Sequence, residues 1–170
     1  MDFSKKTVLI TGAAGNLGAA VAELLSARGA HLVLLDLRRE GLEQRYGQTA
    51  DRHMLLPVNL LESADVQAAV LAAQERFGRI DVLCNLAGGF RMGPPVHATQ
   101  DGDWDFLMDV NVRTLLNMVR AVVPGMLAAG GGWRQHCQCR GAVGTARCRP
   151  HGGVLRFQGR RHPFDRIHGG

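Results

Sequence analysis

Four short apolar runs, the helical stretches between them and a Gly-rich turn after the first run predict an α/β fold. The runs occupy residues 7–10, 31–35, 54–58 and 80–84. They are continuous in apolar residues rather than alternating, as strands buried on both faces require. Strands that alternate with helices then imply a doubly wound parallel sheet covered on both sides.

Each element has its own signal. Thr7-Val8-Leu9-Ile10 is a β-branched run and the first buried strand. After the Gly-rich turn, Leu17, Ala20, Val21, Leu24 and Leu25 recur at helical spacing, and Gly29 stops that helix. Residues 31–35 form the second strand, which ends at Asp36, and a short polar helix covers residues 39–46. Residues 54–58 form the third strand. Ser63 is expected to cap a helix that carries Val66, Ala69, Val70 and Ala73 and stops at Gly78. Residues 80–84 form the fourth strand, in which Cys84 reads as a small core residue. A loop with Pro94 and Pro95 leads to one long helix over residues 104–128, kinked at Pro124. Right-handed crossovers make the strand order 3-2-1-4, the first half of a doubly wound nucleotide-binding sheet.

The charge is divided along the chain. The 170 residues carry a formal net charge of +5. Residues 1–130 hold 12 Lys+Arg and 14 Asp+Glu, while residues 131–170 hold eight Arg and one acid, Asp165. The same last forty residues hold three of the four Cys, four of the seven His and nine of the 22 Gly. The basic balance is thus a property of the tail, expected to be irregular or disordered, and not of the sheet. No secretory signal and no membrane-spanning run is visible, so a cytoplasmic setting is expected.

The turn after the first strand reads Thr11-Gly12-Ala13-Ala14-Gly15-Asn16-Leu17-Gly18. Glycines let the backbone approach a pyrophosphate, and the following helix offers free N–H groups and a positive dipole end. Asp36 ends the second strand, where a carboxylate can accept hydrogen bonds from both ribose hydroxyls of NAD and repel the 2′-phosphate of NADP. Arg38 and Arg39 pull the other way, because Arg can accommodate that phosphate. NAD is expected over NADP. Asn59, beside Leu60, can bond an adenine amino group or serve as a plain turn residue.

These features, with Asn85-Leu86-Ala87-Gly88 and Asn111-Val112 in the long helix, resemble the short-chain dehydrogenase/reductase family over residues 1–130. The resemblance implies a Rossmann-like fold, here incomplete, and hydride transfer between nicotinamide and a small alcohol or ketone. It implies cofactor binding by Gly12, Ala14, Gly15, Asn16, Leu17, Gly18, Asp36, Asn59, Leu60, Asn85, Ala87 and Gly88. It also implies that Asn111 supports a water and the catalytic Lys, and that the long helix helps build a homo-oligomer. Two places depart from the family pattern: Leu86 stands for its second Asn, and Asn16 for a Gly. The family's catalytic pair is Tyr-x-x-x-Lys. The only Tyr is Tyr46 and the only Lys are Lys5 and Lys6, so the chain as written is expected to be inactive.

The tail becomes intelligible in another reading frame. Bases two and three of each codon, joined to base one of the next, permit Asn-Ile-Val-Asn-Val from Gln135 to Arg140. They permit Tyr-Cys-Ala-Ser-Lys from Val154 to Gly159. The overlap of Gly141 and Ala142 cannot encode Ser, so the restored frame would still lack the family's catalytic Ser. Cys137, Cys139, Cys148 and His151 are zinc-ligand types, but Cys-x-Cys fits zinc spacing poorly, and no metal is expected. Eight Arg among nine Gly could contact RNA, yet no Arg-Gly-Gly unit repeats and aromatics are few. A non-catalytic nucleotide-binding module with a nucleic-acid-contacting tail stands as the alternative. Without further strands, Leu107, Leu115, Met118 and Val122 are expected to lose their cover.

Overall fold

The computed structural model describes residues 3–129. The expectations for the tail, residues 131–170, lie outside the described residues. These are its shifted frame, its four zinc-ligand types and its nucleic-acid contacts.

The four strands are β1 (Thr7–Thr11), β2 (His31–Asp36), β3 (His53–Pro57) and β4 (Val82–Asn85). They form one parallel sheet in the order β3-β2-β1-β4. The five helices are α1 (Asn16–Ser26), α2 (Arg39–Tyr46), α3 (Ser63–Phe77), α4 (Asp101–Met108) and α5 (Thr114–Ala128). All of β1 is buried, as a strand with a neighbour on each edge and helices on each face must be.

The strand period of two divides the core. Val8, Ile10, Leu32 and Leu34 point to one face and pack with Ala22, Leu25 and Leu42 of α1 and α2. Leu9, Val33 and Leu35 point to the other face and pack with Val66, Val70 and Ala73 of α3 and with Met118 and Val122 of α5.

Several local expectations need correction. Met118 and Val122 are fully covered by this second layer, and Leu107 and Leu115 are half-buried. The exposed large apolar residues of this stretch are instead Trp104, Phe106, Met108, Val112, Leu116 and Leu127. On α1 the buried positions are Gly18, Ala22 and Leu25, while Leu17 and Leu24 face out. Gly18 and Ala22 face the sheet where α1 crosses it closely, so Leu17 and Leu24 turn away and only Leu25, near the helix end, is buried. Ser63 does not cap α3: Glu62 holds the cap position, and no side chain caps it.

The expected single helix over 104–128 is α4 and α5 joined by a π-helical segment, Asp109–Arg113. Pro124 sits inside α5, which continues past it to Ala128. The proline loop holds a short 3-10 turn, Val96–Ala98. Among the described residues no helix is long and apolar enough to cross a membrane.

Candidate dinucleotide site

The candidate site lies where the loops leave the C-terminal ends of β1, β2, β3 and β4. Gly12 has φ +66 and runs against the loop after β4: a Cβ there would lie 2.8 Å from the Ala87 nitrogen. Only glycine meets both conditions. A Cβ on Gly18 would lie 2.8 Å from the Ala13 Cα and would overlap the Gly12 carbonyl, so α1 starts in close contact with the turn.

The start of α1 is open to an anion. Gly15 is the cap residue, no side chain caps it, and no acid stands in the first turn. The Gly15 N–H donates to Gly12 O at 3.1 Å and the Ala19 N–H to Gly15 O at 2.9 Å. The N–H groups of Asn16, Leu17 and Gly18 are therefore the ones that a helix leaves without an internal partner.

Asp36 is tied into the same loop. Its Oδ2 accepts the Ala14 N–H at 2.9 Å and its Oδ1 the Leu37 N–H at 2.8 Å. Each carboxylate oxygen keeps acceptor capacity for a further donor. Arg39 pairs with Glu43 at 3.4 Å along α2.

Helix α2 braces the glycine loop from behind. Tyr46 Oη donates to Ala13 O at 2.6 Å, and Arg45 Nη2 donates to Asn16 Oδ1 at 2.6 Å. Burial raises the Tyr46 pKa above 10.0, Arg45 lowers it somewhat, and Asp36 raises it further. The one tyrosine is thus a structural donor, held in the state opposite to the one proton abstraction needs. Lys6 lies at the other end of β1, where its Nζ pairs with Asp81 at 3.1 Å.

The loop after β4 is held from two sides. Thr11 Oγ1 accepts the N–H groups of Leu86 and Ala87 at 3.0 and 3.1 Å. Asn111 lies in the π-helical segment and clamps Gly89. Its Oδ1 accepts the Gly89 N–H at 3.1 Å, and its Nδ2 donates to Gly89 O and to Leu107 O, both at 2.9 Å. Gly88 passes so close that a Cβ would lie 2.8 Å from Asn111 Oδ1.

The π-helical segment is itself satisfied. The Thr114 N–H reaches back to Asp109 O, and Thr114 Oγ1 donates to Val110 O at 2.8 Å.

The residues expected from sequence divide into two groups. Gly12, Ala14, Gly15, Asn16, Leu17, Gly18, Asp36, Ala87 and Gly88 gather around the β1, β2 and β4 ends. Asn59 and Leu60 stand in the next loop, after β3. The Asn59 Oδ1 accepts the Leu61 N–H at 3.1 Å, which is its turn role, and Leu60 is buried. Asn85 is also inside: it is 6% exposed, and neither polar atom of its side chain has a hydrogen-bond partner among the described residues.

Thr11 and Tyr46 support the site although no local signal in the sequence marks them for that role. Among the described residues no group of three His, Cys, Asp or Glu could hold a metal ion.

Comparison with known proteins agrees with this geometry. The family model for short chain dehydrogenase matches residues 6–133. D-threitol dehydrogenase of Mycolicibacterium smegmatis is 39% identical over 130 residues, 75% of this chain and 50% of that one. An uncharacterized oxidoreductase of Listeria innocua is 30% identical over 157 residues, 91% of this chain and 62% of that one. That match runs past residue 130, at lower identity. The crystal structure of an NAD+-bound xylitol dehydrogenase superposes with a TM-score of 0.71 at 29% identity, covering 76% of this chain and 51% of that one. The chain spans about half the length of the dehydrogenase it matches at 39%. Fold, loop geometry and family match agree: the chain belongs to the short-chain dehydrogenase family of oxidoreductases and carries its Rossmann-like sheet over the first four strands.

Proposed function

We propose that residues 1–130 form a unit that binds a nicotinamide dinucleotide, NAD in preference to NADP, and that the chain as written does not turn over an alcohol or ketone. The observation that carries the binding reading is the Asp36 carboxylate joined to the Ala14 N–H at 2.9 Å, beside the uncapped start of α1. The site fits such a ligand, because Gly12 and Gly18 let the turn and the uncapped start of α1 lie close against the strand ends, where a Cβ on either would meet backbone.

In this reading the N–H groups of Asn16, Leu17 and Gly18 take the pyrophosphate, since a helix N-terminus favours negative charge. Asp36 accepts from the ribose hydroxyls, and its charge opposes a 2′-phosphate. Asn59 offers its side chain to the adenine. The NAD+ bound by the related xylitol dehydrogenase supports the choice of ligand. When bound, the nicotinamide ring supplies or accepts a hydride. Asn111 holds Gly89 and so fixes the course of the loop after β4, on which the ring would rely.

Turnover needs a group that exchanges a proton with the substrate oxygen near neutral pH. Tyr46 is spent on Ala13 O, and Lys6 is spent on Asp81 at the opposite end of the sheet. Lys5 precedes β1 at that same far end, and the family's Tyr-x-x-x-Lys pair is permitted only in the shifted frame of the tail.

Fluorescence titration of the full chain with NADH and NADPH tests the reading. NADH is expected to bind more tightly, and Asp36→Asn to weaken it about tenfold while narrowing the preference. Equal affinity of the parent chain for both dinucleotides would refute the assignment of Asp36.

A further inference from the structure

Two carboxamides of the last helices reach back to the rim of the sheet, and Asn111 is only one of them. Asn117, on α5, is 9% exposed. Its Nδ2 donates to Leu60 O at 2.9 Å and to Leu61 O at 3.1 Å. Both of its N–H bonds are therefore committed to consecutive carbonyls of the loop after β3, more than fifty residues back in the chain.

That loop is closed on itself and anchored at its start. Leu61 N–H donates to Asn59 Oδ1 at 3.1 Å and Glu62 N–H to Asn59 O at 3.0 Å. Val58 N–H donates to Asp36 O at 2.8 Å, which fixes where the loop leaves the sheet beside the ribose carboxylate. The far side of the loop rests on Asn117.

We propose that Asn117 is a positioning residue for the adenine end of the dinucleotide, acting through the loop 59–61. The inference rests on the dinucleotide reading above. Without its carboxamide, the carbonyls of Leu60 and Leu61 lose their donor beside a buried Leu60 side chain. A buried carbonyl without a donor is unfavourable, so the loop shifts toward water. The Asn59 side chain then holds its present place only part of the time. Apparent affinity falls in proportion to that fraction. The start of α1 and Asp36 are untouched, so the loss is confined to what the adenine contributes.

The test compares NADH with its analogue that carries hypoxanthine in place of adenine and so lacks the amino group. Binding of both is measured on the full chain, on Asn117→Leu and on Asn117→Ser, which keeps one donor in a smaller side chain. The parent chain should bind NADH about tenfold more tightly than the analogue. Asn117→Leu should lose about tenfold for NADH and little for the analogue, with Asn117→Ser between.

Amide exchange at Leu61 and Glu62 should quicken in both variants while β1 keeps its protection. Equal weakening of both ligands would make Asn117 a general structural residue and overturn the proposal. So would unchanged NADH affinity in a folded variant. If the parent chain binds neither ligand, the dinucleotide reading itself has failed, and this one with it. Should Asn117→Leu fail to fold, Asn117→Ser with its exchange pattern decides.

Discussion

At the scale of single residues, the site is made by short polar side chains that bond to backbone far away in sequence. Thr11 is the clearest case. Its hydroxyl accepts two N–H groups of the loop after β4, and Thr11 is 1% exposed. Valine has nearly the same shape and no acceptor. Thr11→Val should therefore lower the unfolding free energy by about 2–4 kcal/mol, because two buried donors lose their partner. Urea unfolding of the two proteins measures it, and an unchanged midpoint would show that water replaces the hydroxyl. Such residues are not legible in the sequence. A threonine at a strand end has many uses, and nothing local reveals a partner 75 positions on. Gly12, Gly18 and Asp36 are legible because their requirement is local: a tight turn, a close helix start and a carboxylate at a strand end. Asn59 is legible only as a pair of alternatives. Its turn bond is visible in the structure, and the adenine contact remains a proposal.

At the scale of elements, β1 and β4 are registered at their starts by one carboxylate. Thr7 N–H donates to Asp81 Oδ2 at 3.0 Å, and Lys6 and Arg79 pair with Oδ1 at 3.1 and 2.9 Å. Burial pushes the Asp81 pKa up, but the Thr7 N–H and the two cations outweigh it, and the net value lies below 3.8. A carboxylate held low in the fold stabilises it above the unfolded pKa, and that stabilisation is lost as pH falls through the folded value. Lys6 and Arg79 are about half-exposed, so most of the effect belongs to the Thr7 bond. Asp81→Asn should destabilise the chain by about 1–2 kcal/mol at pH 7. The gap from the parent should close as the pH drops below 3.8. Denaturant midpoints over a pH series from 7 downward check this, and a gap that does not narrow at all below 3.8 would deny the carboxylate its role. Strands are the most legible elements, since a short continuous apolar run between turn residues fits little except a buried strand. Helix faces are less so. On α1 the leucines mislead, because closeness to the sheet selects Gly18 and Ala22. The π-helical segment is invisible in the sequence, since one widened turn barely disturbs a periodic pattern.

At the scale of the whole molecule, one sheet carries two unequal coverings. Both coverings keep apolar residues outside: Leu17 and Leu24 on α1, and Trp104, Met108, Val112 and Leu116 at spacing four through α4, the π-helical segment and α5. The four on the last helices recur at one spacing, and exposed apolar side chains so arranged promote association. Sedimentation should show concentration-dependent self-association that Val112→Glu reduces; a parent chain that stays monomeric at every concentration would contradict it. The missing acid/base pair gives a second test at this scale. The chain as written should not oxidise NADH with any ketone. A gene lacking one base within the glycine codons for residues 130–132, just ahead of the shifted stretch that opens at Gln135, should encode Tyr-Cys-Ala-Ser-Lys in the restored frame and gain a turnover limited by the absent catalytic Ser. Activity of the unaltered chain would refute the reading. The strand order is legible because parallel connections leave few choices. The exposed row at spacing four is not, since its residues look as apolar as the covered Met118 and Val122. The order β3-β2-β1-β4 also bears on synthesis. Strand β2 joins the first edge of β1, β3 joins β2, and β4 returns to the edge that β1 still has free. Each new strand meets a template already made, at a pace of about 5–20 residues per second on the ribosome. All four strands whose ends carry the surface proposed for the dinucleotide are thus made by residue 85, so the sheet's template is complete before the segments with Asn111 and Asn117 arrive to hold the loops at its rim.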